Sequence, residues 1–188
     1  MKKFVISLLS VIFLCAAATA QVLVGMTDTT AYFPQLEGRR VAVLANHTAV
    51  ARFGDGAPGV AADAAVRLPG AASDGTIHLV DLLHGRGFDV TGIFSPEHGF
   101  RGTADAGEHV ASSVDAATGI PIRSLYDGNT KRPSDEAMRS FDVLVVDMQD
   151  VGLRFYTYYI TMLRMMDACA ESGRSVIVLD RPNPNGHH

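Results

Sequence analysis

The chain has 188 residues, with 16 Lys and Arg against 20 Asp and Glu and a formal net charge of -4. That balance lacks the basic footprint that phosphate binding requires, so it argues against nucleic acid as a partner and against electrostatic docking on an anionic membrane. With 47% hydrophobic residues, the sequence carries enough apolar side chains for one domain with a real core.

The first residues read as an address. Lys2 and Lys3 give a positive start, and residues 4–14 form an apolar run broken only by Ser7 and Ser10. Ala18, Thr19 and Ala20 then supply the small residues a signal peptidase needs. The expectation is a signal peptide over residues 1–20, a mature catalytic domain over 21–188, and an exported protein, periplasmic or secreted. The apolar run falls short of the ~20 residues a membrane span takes, so no integral span is expected after cleavage. Cys15 offers a lipoprotein as the alternative, although bulky Leu14 stands where a lipobox wants a small residue. Cleavage leaves 14 basic and 20 acidic residues, net -6, and Cys169 as the remaining cysteine. No intrachain disulfide is then possible. Cys169 lies in an apolar helical stretch and reads as a small buried hydrophobe.

Taken in order, residues 41–45 (VAVLA) follow a charged turn and read as a buried strand. Residues 52–75 are rich in Gly, Ala, Pro and Asp and read as a long loop, with one helical turn around Val60 to Val66. Residues 76–86 read as a helix, with Ile77, Leu79, Val80, Leu82 and Leu83 as its apolar face and Gly85 and Gly87 at its end. A second strand covers residues 89–94, and a polar loop over 95–119 is long enough to be functional. Residues 120–125 read as an extended segment, which Pro121 restricts to an edge strand. Ser134 caps a short helix running to Ser140. Residues 142–147 (DVLVVD) are the clearest buried strand. Residues 158–171 form a long helix stopped by Gly173, and residues 175–180 (SVIVLD) form a further buried strand. Continuous apolar strands alternating with helices define an α/β fold, Rossmann-like, with a mostly parallel sheet and helices on both faces. The sequence stops in a loop directly after a strand, which raises the expectation of a protein that continues.

In open parallel sheets ligands bind beyond the carboxyl ends of the strands. Here the first strand is followed by Asn46, His47 and Thr48, and the second by Ser95 to Gly102 (SPEHGFRG). The DVLVVD strand is followed by Gln149, Asp150, Val151 and Gly152 and then Arg154 to Tyr158 (RFYTY). The last is followed by Arg181, Pro182, Asn183 and Pro184. Four dense polar motifs thus fall at one end of the sheet. The turn after the first strand has no glycine-rich phosphate loop, so no nucleotide cofactor is expected. No G-x-S-x-G elbow is present either. His47, His98, His109, Asp147 and Asp150 make at most a scattered metal set, and no metal is expected. Glu97, stiffened by Pro96, is the candidate general acid; the alternative is a loop glutamate paired to Arg101. His98 adjoins it. Asp147 and Asp150 offer a second carboxylate, with bracing of the strand end as the other role for Asp147. Arg101 and Arg154 are candidates to clamp a substrate carboxylate in a fork. Tyr156, Tyr158 and Phe100 either flank a sugar ring or pack in the core.

SPEHGFRG, DMQDVGLRFYTY (residues 147–158) and LDRPNPNG (residues 179–186), with Asn46-His47-Thr48, resemble in identity and order the signatures of the exo-β-N-acetylmuramidase family of bacterial peptidoglycan glycosidases. The resemblance covers residues 36–186. It implies release of N-acetylmuramic acid from the non-reducing ends of peptidoglycan fragments. It also implies a Rossmann-like N-terminal domain carrying the catalytic glutamate, here Glu97, and a C-terminal domain that completes the cleft and is absent from this sequence. The insertion around residues 52–75 is longer than the family's. The site expected on these grounds has Glu97, Asp150 and His98 as catalytic residues. Asn46, Arg101, Asp147, Gln149, Arg154, Tyr156 and Arg181 are expected on muramyl sugars. The competing functions are a non-catalytic wall-sugar binding module and a metal-dependent hydrolase.

Overall fold

The computed structural model of the chain describes residues 23–53, 68–96, 99–101, 113–125 and 132–186. A single 3-10 turn, Gly25–Thr27, leads into helix α1, Thr29–Leu36. There follow β1 (Arg40–Ala45), β2 (Val50–Arg52), β3 (Thr76–His78), α2 (Leu79–Gly85), β4 (Asp89–Ser95), β5 (Ser113–Val114) and β6 (Pro121–Ser124). The chain continues with α3 (Asp135–Arg139), β7 (Val143–Asp147), α4 (Tyr158–Glu171) and β8 (Ser175–Val178). Six strands form one sheet in the order β5-β6-β4-β1-β7-β8, and β2 pairs with β3 as a separate antiparallel ribbon. Every pairing in the large sheet is parallel except that of β5 with β6.

The sheet is buried on both faces because successive side chains of a strand point to opposite sides. Val41, Val43, Ala45, Val143 and Val145 face a core shared with α1, α2 and the β2-β3 ribbon. Ala42, Leu44, Leu144 and Val146 face a second core closed by α3 and α4. This is the doubly covered, mainly parallel α/β sheet that the sequence predicts. Cys169 is fully buried in the second core, and burial pushes its thiol up to about 11. Ser134 caps α3 as expected, its hydroxyl oxygen accepting from the Ala137 amide at 3.2 Å.

Three readings need correction, and one element went unread. The segment read as a helix from residue 76 begins as a strand, Thr76–His78, and turns helical only at Leu79. His78 caps that helix, its Nδ1 accepting from the Val80 amide. Apolar Ile77 suits either conformation, and the antiparallel partner β2 decides it. The segment around Pro121 is not the sheet's edge: β5, which lies inside the stretch read as a loop, pairs outside it. Pro121 is tolerated as the first residue of its strand, where no ladder N–H is missed. β8 is half-exposed and not buried, because it forms the other edge. Finally, α1 escapes the sequence reading. It carries Pro34 in its interior, and it is held by Tyr32, whose buried hydroxyl donates to the Met26 carbonyl at 3.0 Å. The helical turn read around residues 60–66 lies outside the described residues. No described helix is long and apolar enough to cross a membrane.

Candidate active site

The register aligns the strand ends that carry the polar motifs. Leu44 of β1 pairs with Phe94 of β4, and Ala45 pairs with Asp147 of β7. Asn46, Pro96 and Met148 therefore leave the sheet side by side, and the chain after β8 returns beside β7.

Asn46 is fully buried. Its Oδ1 accepts from the Thr48 amide at 3.0 Å and from the Thr48 hydroxyl at 2.6 Å, an Asx-type turn. The Thr48 hydroxyl oxygen in turn accepts from the Gln149 amide at 2.9 Å, which joins the first motif to the third. Gln149 spans to the fourth: its Nε2 donates to the carbonyls of Asp150 at 2.8 Å and Pro182 at 3.0 Å. Among the described residues the buried Asn46 Nδ2 has no hydrogen-bond partner. An orphaned buried donor costs on the order of 1–3 kcal/mol. The Asn46 carbonyl accepts from Nε2 of His78 at 2.9 Å. With its other ring nitrogen accepting at the helix cap, His78 is required in its neutral tautomer, and burial lowers its pKa accordingly.

Asp147 and Arg181 form a buried fork. Arg181 donates to both carboxylate oxygens, from Nε and, at 2.9 Å, from Nη2, and also to the Val50 carbonyl at 3.1 Å. Burial pushes the Asp147 carboxyl up, against the pull of Arg181. The fork leaves both groups committed to bracing β7 against the returning chain.

Asp150 is differently placed. Its Oδ1 accepts from the Gly152 amide at 2.7 Å, while Oδ2 is buried without a partner among the described residues. With Met148, Tyr158, Tyr159, Met162 and Asn183 it lines a cavity of about 250 Å³ between α4 and the ends of β7 and β8. Gly152 has φ +69°, and a Cβ there would run into the Asn183 side chain. Asn185 donates to the Val151 carbonyl at 2.8 Å. The third and fourth motifs are thus packed into one unit. Tyr156 is half-buried and meets buried Tyr158 edge-on at 4.8 Å. Arg154 is exposed, with no hydrogen bond or ion pair recorded among the described residues.

Arg101, which the sequence offers to a substrate carboxylate, is occupied within the chain. Its Nη1 and Nη2 donate to Asp81 at 3.2 and 3.0 Å, and its Nε and Nη2 donate to Asp115, each at 2.9 Å. The two carboxylate side chains are only 5% and 4% exposed. Burial pushes the Asp115 carboxyl up, but the bonds from Arg101 and Thr118 outweigh it and hold it below its ordinary value. Phe100 is buried beside this group, edge-on to His78 at 4.9 Å and under the Arg101 guanidinium at 4.9 Å.

Glu97 and His98 lie outside the described residues, as does His109. The residues that bracket the first two are fixed: Gly99, at φ +78°, donates its N–H to the Pro96 carbonyl at 3.2 Å. Among the described residues no three His, Cys, Asp or Glu side chains are grouped to hold a metal ion. The structure therefore gathers Asn46, Asp147, Gln149, Asp150 and Arg181 in one bonded array. It sets Arg101 in a separate cluster, itself about a third exposed over two buried carboxylates. The sequence reading missed Asp81, His78 and Asp115, whose roles depend on pairings across the fold; the D-x-x-T spacing of Asp115 and Thr118 was the one local signal.

Fold and site together define a Rossmann-like α/β domain with its polar apparatus at the carboxyl ends of parallel strands. Residues 59–188 match the family described as exo-beta-N-acetylmuramidase NamZ, N-terminal, and the chain belongs to that family. The match begins after Asn46 and β1. The peptidoglycan beta-N-acetylmuramidase NamZ of Bacillus subtilis is 50% identical over 108 residues, which are 57% of this chain and 26% of that protein. Two crystal structures of DUF1343 family proteins from Bacteroides fragilis share the fold. One has a TM-score of 0.65 at 44% identity, covering 90% of this chain and 37% of the other. The second has a TM-score of 0.64 at 34% identity, covering 86% and 35%. The chain thus spans about a quarter of the curated relative and little more than a third of either solved structure.

Proposed function

We propose that the chain is the glutamate-bearing domain of an exported glycoside hydrolase that releases N-acetylmuramic acid from the non-reducing ends of peptidoglycan fragments in cell-wall turnover. The observation that carries this reading is the assembly of the motif residues into one bonded array at the strand ends of a chain that belongs to the NamZ family. Residues 1–20 serve as the signal peptide on this reading, and the protein works in the periplasm or outside the cell.

Glycosidic oxygen leaves only when protonated as its bond breaks, which requires a carboxyl group held protonated beside it. Glu97 takes that role. Asp150 is the second carboxylate, since Asp147 is paired with Arg181 and Asp81 and Asp115 share Arg101, while among the described residues one Asp150 oxygen is left unclaimed. The buried Asn46 amide supplies a donor. Arg154, which no acid of the described chain engages, is the cation for the lactyl carboxylate of the sugar.

The test is release of chromophore from a chromogenic β-N-acetylmuramide by the full-length protein. Glu97→Gln is expected to lower turnover by ~10²–10⁴-fold with substrate affinity nearly intact. If Glu97→Gln keeps most of its turnover while Asp150→Asn loses it, the acid is Asp150.

A further inference from the structure

The guanidinium of Arg101 sits two residues beyond Gly99 in the motif that carries Glu97, yet its bonds turn inward. Nε, Nη1 and Nη2 all donate to Asp81 and Asp115. Asp81 lies in the first turn of α2, which begins where β3 ends. Asp115 lies between β5 and β6, where its carboxylate also accepts from the Thr118 amide and hydroxyl. Phe100 wedges between the guanidinium and the His78 ring, and His78 holds the carbonyl of Asn46 at the end of β1. Arg101 therefore ties the segment after β4 to a helix start and to the neighbouring loop, while Phe100 packs the same segment against the His78 ring beside the end of β1. A fork of this kind fixes direction as well as distance, because a planar guanidinium meets two carboxylates in set geometry.

We propose that Arg101 is a positioning residue. It fixes the Gly99–Arg101 arm of the SPEHGFRG motif against Asp81 and Asp115, so that the glutamate two positions before that arm is presented to the scissile bond, and it does not touch the substrate. The proposal rests on the reading of the chain as a muramide hydrolase. It assigns the carboxylate of the sugar to another cation, and it makes Asp81 and Asp115 parts of the same device. A displacement of about 1 Å in a reacting group costs up to ~10²-fold in rate, which sets the size of the effect.

The experiment compares Arg101→Lys, Asp115→Asn and their double variant in the full-length protein. The substrates are a chromogenic N-acetylmuramide and the same compound with its lactyl carboxyl amidated. Each single variant is expected to lose about 10²-fold in kcat, with KM within about twofold. The double variant should lose no more than the worse single one, and the preference for acid over amide should stay as in the unaltered protein. A raised KM together with a collapsed acid-over-amide preference in Arg101→Lys overturns the proposal, because Arg101 then reads the substrate. Unchanged kcat with a lowered Tm also overturns it, leaving a role in stability alone. Should the unaltered protein cleave neither compound, the muramidase reading fails and amide exchange decides the inference separately. Faster exchange at Gly99, Phe100 and Arg101 in Arg101→Lys, with Val143–Asp147 unchanged, supports it; exchange unchanged at both places, or faster at both, overturns it.

Discussion

Asp147 and Arg101, both offered to substrate by the sequence, are each engaged by charges within the chain. Both belong to motifs rich in polar residues, and both were candidates for contact with substrate. Asp147 is fully buried, and its partner Arg181 is 9% exposed. Removing one member of such a pair leaves the other charge buried without compensation, at a typical cost of about 3–5 kcal/mol. Asp147→Asn is therefore expected to destabilise the protein by that amount in urea unfolding, with the fold retained in mild conditions. A loss below about 1 kcal/mol would mean that Arg181 swings to solvent when freed, and that the fork is not a brace. The sequence made the neighbourhood of these groups legible, since each follows a recognisable strand. It did not reveal their partners. Arg101 reaches Asp81 and Asp115 at separations of 20 and 14 positions, and Asp147 reaches Arg181 at 34. No local spacing rule connects residues so far apart, so a free-looking arginine and a committed one read the same.

Among the elements, the long apolar strands β1, β4 and β7 and the helix α4 were plain because their patterns persist over several residues. The three-residue strands β2 and β3 are too short to show a period, and their conformation is set by each other. The other end of the sheet holds a different kind of organisation. Asp142, just before β7, accepts from the Arg40 amide, Nε and Nη2, and Arg174 approaches it at 3.5 Å from the start of β8. The hydrogen bonds from Arg40 hold its carboxyl at about 2, below an ordinary value of 3.8. A carboxyl depressed in the folded state adds stability that is present above its unfolded value and is lost as pH falls through the folded one. The urea midpoint is therefore expected to drop between pH about 4 and pH about 2, and Asp142→Asn should flatten that decline. Parallel acid limbs in the two proteins would show that the clasp at the starts of β1, β7 and β8 carries no such linkage.

At the scale of the whole molecule, the outer side of α4 and the neighbouring edge strand carry Tyr159, Leu163, Met166 and Val178 in exposed positions. Apolar surface of this kind promotes association. Leu163→Lys with Met166→Lys is expected to reduce self-association in light scattering and to change stability by no more than about 0.5 kcal/mol. Scattering that does not fall would place any stickiness elsewhere on the surface. The order of the sheet carries a different consequence, one of timing. β1 lies inside the sheet between β4 and β7, yet Arg40 at its start and Asp142 before β7 are 102 positions apart. Pairings that close so long a loop must await chain that has not yet been made, and they slow the search for the native state. Of the described strands β1 is made first, and its second edge stays open until β7 has been made. Until β7 arrives, that edge of an apolar strand is open to pairing with another chain, the hazard every unpaired strand edge carries.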